Sequence, residues 1–180
     1  MELFEAAVRH TGAIMHIRGE APGDEPAIHA VVAEAFRSAP QRSGTEALIV
    51  DALREAGALA ISLVAADDGA VCGYIAFSPV TIDGAEVGWH GLGPLAVRPR
   101  HQRQGIGSQL VTEGLASLRA VGSRGCVVLG DPLYYGRFGF RARAELSLAG
   151  VPAAYFQALP FTTPMPEGSV RYHAAFDLRP

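Results

Sequence analysis

Apolar residues in the first third of the chain follow a strand spacing and then two helix spacings. Residues 16–18 alternate between polar and apolar types, which is typical of a short strand. Asp24 is a candidate N-cap before apolar residues that recur every three or four positions over 28–36. A second helical spacing follows Thr45 and stops at Gly57. The order predicted here is strand, helix, helix.

Residues 1–14 precede this pattern, and Met15 stands directly before the first predicted strand. We therefore expect residues 1–14 to be an N-terminal extension outside the fold, and residues 15–180 to form one domain. The N-terminal residues lack the basic and apolar segments of a signal peptide, and no apolar run is long enough to cross a bilayer. The sequence predicts no membrane partner.

The middle of the chain has the pattern of consecutive hairpins. Apolar runs at 59–66 and 71–80 are separated by Asp67-Asp68-Gly69, a typical turn sequence. A second turn signal at 82–86 leads to a strand that ends over 92–97. These hairpins predict an antiparallel meander.

After Val97 the spacing becomes helical over 106–118, Gly122 closes the helix, and 126–129 is a short apolar run typical of a buried strand. A strand, helix, strand unit places its two strands parallel. The predicted fold is therefore α+β, with a mixed, mainly antiparallel central sheet. Downstream we expect one or two helical turns at 132–137, strands within 141–149 and 169–177, and mostly loop between them, where the prolines Pro152, Pro160, Pro164 and Pro166 lie.

Composition narrows the classes of function. A chain of 180 residues with 49% hydrophobic and 18% charged residues fits one domain with a single core. Lys and Arg total 15 against 18 Asp and Glu, so the excess of positive charge typical of nucleic-acid binders is missing. Cys72 and Cys126 are too few for a disulfide framework, which favours a cytoplasmic setting. His16, His29 and His173 have no metal-ligand spacing, so no metal is expected.

The segment Gln-Arg-Gln-Gly-Ile-Gly at 102–107 has the clearest chemistry. It connects the predicted strand to the predicted helix, its glycines leave room for a ligand, and the N–H groups of the helix N-terminus point outward. Their partial positive charge stabilises a pyrophosphate without a lysine. A P-loop is excluded because Ser108 and Gln109 follow Gly107. Leu110 stands where the dinucleotide fingerprint has its third glycine, which disfavours an NAD-linked oxidoreductase.

The pattern Gln/Arg-x-x-Gly-x-Gly/Ala at a helix start resembles the coenzyme A motif of the GNAT acetyltransferase superfamily, with Gln102, Gly105 and Gly107 at its defining positions. Residues 95–99 match the Leu-x-Val-x-Pro strand end of that superfamily, and 135–140 match its Tyr-x-x-x-Gly-Phe signature.

The chain resembles in particular the bacterial acetyltransferases with Leu-Gly-Pro-Leu-Ala-Val, here 92–97, and Tyr-Tyr-x-Arg-Phe-Gly-Phe, here 134–140. The resemblance covers 15–180. It implies helices on both faces of the sheet and acetyl-coenzyme A (acetyl-CoA) as the acetyl donor.

The resemblance also implies a role for each matching residue. The backbone of Leu95 and Val97 pairs with the pantetheine arm, and the amide near Leu95 polarises the thioester carbonyl. Tyr135 contacts the cofactor and protonates the departing sulfur, the alternative being a half-buried tyrosine that caps a backbone group. The full set implied for cofactor binding is Leu95, Ala96, Val97, Gln102, Arg103, Gln104, Gly105, Ile106, Gly107, Ser108 and Tyr135.

A general base is left open among Glu86, His90 and ordered water. Glu86 and His90 are four apart on the strand that leads to the cleft, so a regular strand directs both side chains to one face. The alternative is a solvent-facing glutamate and a packed histidine. Cys126 lies inside an apolar run and is not expected to be a nucleophile. The basic residues beside the turn, Arg100, His101 and Arg103, either touch phosphates or form a solvated loop.

Two hypotheses follow. The first is an N-acetyltransferase in which a primary amine attacks acetyl-CoA directly, through a tetrahedral intermediate. The second is a non-catalytic module of the same fold that senses acyl-CoA. The acceptor is open among a small amine, an aminoglycoside, a peptide N-terminus and a protein lysine, and the assembly is either a monomer or a homodimer.

Overall fold

The computed structural model describes residues 6–10, 13–37, 39–40 and 43–179. Its helices are α1 (Glu25–Phe36), α2 (Glu46–Glu55), α3 (Ile106–Ala120) and the single turn α4 (Pro132–Tyr135). Its strands are β1 (Ala6–His10), β2 (Ala13–Gly19), β3 (Ile61–Asp67), β4 (Ala70–Ile82), β5 (Ala85–Val97), β6 (Gly125–Leu129), β7 (Leu146–Leu148), β8 (Phe156–Pro160) and β9 (Gly168–Arg171).

The described strands form one mixed sheet in the order β1-β2-β3-β4-β5-β6-β8, and β9 joins it by pairing with β4 and with β7. Strands β1 to β5 are antiparallel neighbours, as the hairpin signals predict. Strand β6 pairs parallel with β5 after the crossover through α3. The prediction of a mixed, mainly antiparallel sheet is confirmed.

Helices cover both faces of this sheet. On one face, α3 packs its apolar side, including Leu110 and Leu118, against Phe77 of β4 and Cys126 of β6. On the other face, α1 and α2 pack against β4 and β5, where Tyr74 is fully buried. A third apolar cluster includes residues of β7, β8 and β9. The expected two-sided cover is confirmed.

Strand β5 contains one irregularity that positions the site. Leu92 pairs with Phe77, but Leu95 pairs with Ile75, so β5 carries one extra residue between these two pairs. A strand alternates its side chains between faces, and an extra residue reverses that alternation. Leu92 and Leu95 are three apart, yet both pack on the α3 side, whereas Ala96 packs on the α1 side.

Three features differ from the sequence predictions. Residues 156–160, expected to be loop, form β8, which pairs along the whole of β6. Asp24 does precede α1, but its side chain makes no cap and instead binds Arg18 at 2.6 Å and 3.0 Å. The end of 169–177 is a 3-10 turn at Ala174–Asp177.

The expected boundary at residue 15 stays a prediction. Strand β2 begins at Ala13, and β1 pairs with it antiparallel over Ala6–His10. The rest of the predicted extension, 1–5, 11 and 12, lies outside the described residues.

Candidate active site

The site begins where β5 and β6 part. The two strands pair from Trp89 with Gly125 to Leu92 with Val128, and β6 ends one residue later. We call residues 90–92, which are paired with strands on both sides, the closed part of β5. Residues 93–97, the open part, have only β4 beside them among the described strands. The edge of the open part that faces away from β4 therefore offers backbone groups to a ligand.

The turn at 102–105 leads from this strand end into α3. Arg103 and Gly105 both adopt positive φ angles, +61° and +84°, which turn the chain sharply into the helix. The first bond that the turn makes with α3 is donated by the Gln109 amide to the Gly105 carbonyl at 3.0 Å. The N–H groups of Ile106, Gly107 and Ser108 precede it, and so they are available at the positive end of the helix dipole.

The open part of β5 and the N-terminus of α3 line one cleft of about 430 Å³. The residues implied for cofactor binding that line it are Leu95 and Val97, Gln102 and Arg103, and the four residues from Gly105 to Ser108. Ala96 is buried on the opposite face. The Gln104 side chain donates to the Arg100 carbonyl at 3.2 Å, and that of Gln102 donates to the Val97 carbonyl at 2.9 Å. Both glutamines therefore brace the turn.

Tyr134 and Arg137 also line this cleft, although the sequence pattern predicts no role for either residue. The Arg137 guanidinium lies 4.5 Å from the centre of the Tyr134 ring and donates to the Ser108 hydroxyl at 3.3 Å. The Tyr134 hydroxyl lies 2.9 Å from the position that a Cβ of Gly107 would occupy. The three-residue spacing of Tyr134 and Arg137 in a helical turn is a signal that they share a side.

Tyr135 is not among the residues that line the cleft, and its side chain lies just beyond the end of β6. Its ring lies against Gly130, where an added Cβ would be 2.3 Å from Cε2, and it meets Phe140 edge to face at 5.9 Å. Burial raises the pKa of its phenol, and Tyr134 and Cys126 raise that pKa further. The phenol therefore holds its proton at neutral pH.

The two candidate bases lie away from the cleft. Glu86 is exposed beside the β4–β5 turn, and His90 lies in the closed part of β5. His90 Nδ1 is 2.8 Å from the Ser123 hydroxyl just beyond the C-terminal end of α3, and burial lowers the pKa of its imidazole. At about 3.3 Å per residue, roughly 16 Å of strand separate His90 from Leu95. The structure does not bring either side chain to the open part.

The remaining candidate residues also differ in whether they line the cleft. Cys126 is fully buried, and burial raises the pKa of its thiol, which disfavours a nucleophile. His101 lines the cleft and lies 3.5 Å from Asp67, whereas Arg100 is exposed to solvent. Within the described part of the chain, no three His, Cys, Asp or Glu residues are placed to hold a metal ion. No described helix is both long and apolar enough to span a membrane.

Comparison with known proteins gives consistent results. Residues 59–142 match the family model described as "Acetyltransferase (GNAT) domain". The uncharacterized N-acetyltransferase YhbS of Escherichia coli (strain K12) is 47% identical over 135 residues, which are 74% of this chain and 78% of that protein.

Two solved structures match over most of the chain. A GNAT family acetyltransferase from Brucella melitensis in complex with acetyl-CoA is 55% identical and has a TM-score of 0.82, covering 91% of this chain and 98% of the other. YhbS from Escherichia coli in complex with CoA is 37% identical with a TM-score of 0.84, covering 99% and 96%.

Proposed function

Because this chain belongs to the GNAT acetyltransferase family, we propose that its cleft binds acetyl-CoA and that the protein transfers the acetyl group to a primary amine. The observation that carries this proposal is the geometry of the cleft. A strand edge with free backbone groups and a helix N-terminus with free N–H groups line the same opening.

The residues of the cleft fit the two ends of this donor. At the start of α3, the N–H groups of Ile106, Gly107 and Ser108 suit a pyrophosphate, because the helix dipole favours negative charge there. Arg137 adds a full positive charge at the same place, since its guanidinium contacts Ser108. The open part of β5 suits the pantetheine amides, which pair with a strand edge as another strand does.

The chemistry that follows is direct attack of the amine on the thioester carbonyl. In this proposal the backbone amide near Leu95 stabilises the oxyanion of the tetrahedral intermediate. Tyr135, which burial keeps protonated, donates a proton to the departing sulfur. The amine loses its proton to water, since the candidate bases Glu86 and His90 lie away from the open part of β5.

The acceptor in this proposal is a small-molecule or peptide amine, and the protein acts in the cytoplasm as a monomer or a homodimer. The cytoplasmic setting is supported by the two cysteines, which are both free and buried.

The test is calorimetric titration with CoA and acetyl-CoA, followed by a thiol-release assay over a panel of amines. Gly107→Glu places a carboxylate among the N–H groups of α3, and we expect it to weaken CoA binding by about 100-fold, or about 2.7 kcal/mol. Thr112→Glu adds the same charge to an exposed position of the same helix and is expected to bind normally. Folded wild-type protein that binds no CoA would contradict the proposal.

The alternative, an acyl-CoA sensor, is favoured by the position of Glu86 and His90 outside the cleft. Tight CoA binding without thiol release from any amine, unchanged in Tyr135→Phe, would establish the sensor in place of the enzyme.

A further inference from the structure

The ring of Tyr172 lies across β5 at Gly91. Tyr172 directly follows β9, and a Cβ added to Gly91 would lie 2.3 Å from ring atom Cε1 and 2.8 Å from Cδ1. The ring also packs at 5.0 Å from that of Phe176, which in turn lies 3.5 Å from the Cβ position of Gly93. A residue without a side chain at 91 thus lets the tyrosine cross the strand.

The Tyr172 hydroxyl is buried, and no described residue accepts a hydrogen bond from it. The Leu129 backbone amide approaches the hydroxyl oxygen as a donor, and Cys126 and Tyr135 are the other groups near enough to influence the pKa of the phenol. Leu129 is the last residue of β6, one position beyond Val128, where the pairing with β5 ends. The hydroxyl therefore reaches the point at which the two strands part.

A buried hydroxyl whose proton has no acceptor is uncommon in proteins because it costs free energy. Such a group is explained when a ligand supplies the missing partner. Burial also raises the pKa of the Tyr172 phenol, so the group is a hydrogen-bond donor at neutral pH. Tyr135, whose ring fills the space above Gly130, approaches the same point from the segment after β6.

We infer that the Tyr172 hydroxyl donates a hydrogen bond to the thioester sulfur of bound acetyl-CoA, an assignment that rests on the proposed function. When the tetrahedral intermediate collapses, the carbon–sulfur bond breaks and its electron pair stays on sulfur. The hydrogen bond becomes charge-assisted at that moment and therefore stronger. Tyr172 keeps its own proton, and the proton that neutralises the thiolate comes from Tyr135, which recovers one from solvent.

Because the hydrogen bond strengthens only as the bond to sulfur breaks, its loss lowers kcat more than it raises KM. In Tyr172→Phe we expect kcat to fall at least about tenfold, with KM for acetyl-CoA within about threefold. The unfolding temperature is expected to change little, because the hydroxyl that the variant removes donates to no described residue in the free protein. Tyr155→Phe, at a tyrosine that is 45% exposed, is the control and is expected to match the wild type.

The experiment measures CoA binding, thiol release and thermal unfolding for the wild type and both variants. An unchanged kcat in Tyr172→Phe, or a fall in kcat accompanied by a lower unfolding temperature, would overturn the assignment. If the wild type releases no thiol with any amine, the assignment is tested by comparing the affinities for CoA and for desulfo-CoA, which lacks the sulfur. A preference for CoA that is smaller in Tyr172→Phe than in the wild type supports the assignment. The same preference in both proteins rejects it. Wild type that binds no CoA refutes the proposed function itself.

Discussion

The closed part of β5 is hydrogen-bonded to β4 on one side and to β6 on the other, whereas the open part is bonded only to β4. The side chains follow the same division. His90 in the closed part is engaged by Ser123, while Leu95 and Val97 in the open part line the cleft. One strand thus has a part that is paired on both sides and a part that lines the cleft, and the difference lies in its neighbour, because β6 is only five residues long.

This division explains why residues of the matching motifs line the cleft, whereas the candidate bases Glu86 and His90 lie away from it. In the proposed complex, a residue of β5 can pair with the donor only if it lies beyond Leu92, where β5 loses its second partner. Substitutions on the open side are therefore expected to change binding or turnover, and substitutions on the closed side to change stability alone.

The largest expected effect is that of Tyr135→Phe. Removing the proposed proton donor should lower kcat by about 100-fold, within the usual range for loss of a general acid, while CoA affinity changes little. Steady-state thiol release together with calorimetry separates the two quantities. A variant that keeps full kcat would remove Tyr135 from the chemistry.

Arg137→Ala is expected to act on binding and to leave kcat nearly unchanged. The loss of its charge beside Ser108 should weaken CoA affinity about tenfold, or about 1.4 kcal/mol, and the loss should shrink at high salt because screening reduces charge interactions. Arg143→Ala, at an exposed arginine that does not line the cleft, is the control. Equal affinities of the two variants would show that Arg137 does not contact the donor.

On the closed side, His90→Ala should lower the free energy of unfolding by about 1 kcal/mol, because the hydrogen bond with Ser123 is lost. Its kcat and KM should stay within about twofold of wild type. Glu86→Gln, at an exposed residue, should change neither stability nor kinetics. Urea unfolding measures the stability of the two variants, and thiol release measures their kcat and KM. A large fall in kcat in either variant, with normal stability, would restore that residue as the base.

The smallest effect concerns pH. Burial lowers the pKa of His90 in the folded protein, so the unfolded chain binds the proton more readily. The contribution of neutral His90 to the free energy of unfolding is fully present above the unfolded imidazole pKa of about 6.5. It is lost as pH falls through that value towards the lower folded pKa. Stability should therefore fall less steeply from pH 7.5 to 5 in His90→Gln than in the wild type. Identical slopes in urea unfolding would show that His90 titrates as in the unfolded chain.

The sequence predicted the central elements well, because apolar spacing over 59–129 is governed by local rules. Strand β8 escaped prediction because Pro152 precedes it and Pro160 is its last residue, and because its pairing with β6 is a contact between distant segments. The same reason hides Tyr172, which meets Gly91 across 81 positions of chain.

The site residues show the same difference between local patterns and contacts of distant segments. The turn at 102–107 was visible because its glycines and helix start are contiguous, and eight of the residues implied for cofactor binding do line the cleft. The positions of Tyr134 and Arg137 in the cleft depend on their approach to Gly107 and Ser108, which no local pattern encodes. Glu86 and His90 were candidates because alternation along a strand places both side chains on one face. That alternation does not show at which residue the neighbouring strand stops pairing.

The extra residue in β5 has a consequence for how this site changes over evolutionary time. It turns Leu95 and Val97 towards the cleft, yet the proposed donor contacts there are made by backbone groups, which every residue type except proline provides in full. Recognition of this kind depends on chain length and register and hardly on the identity of the side chains. Point substitutions at 95 or 97 can therefore accumulate while donor binding persists, whereas deletion of a single residue at 93 or 94 would reverse the facing of the whole strand end.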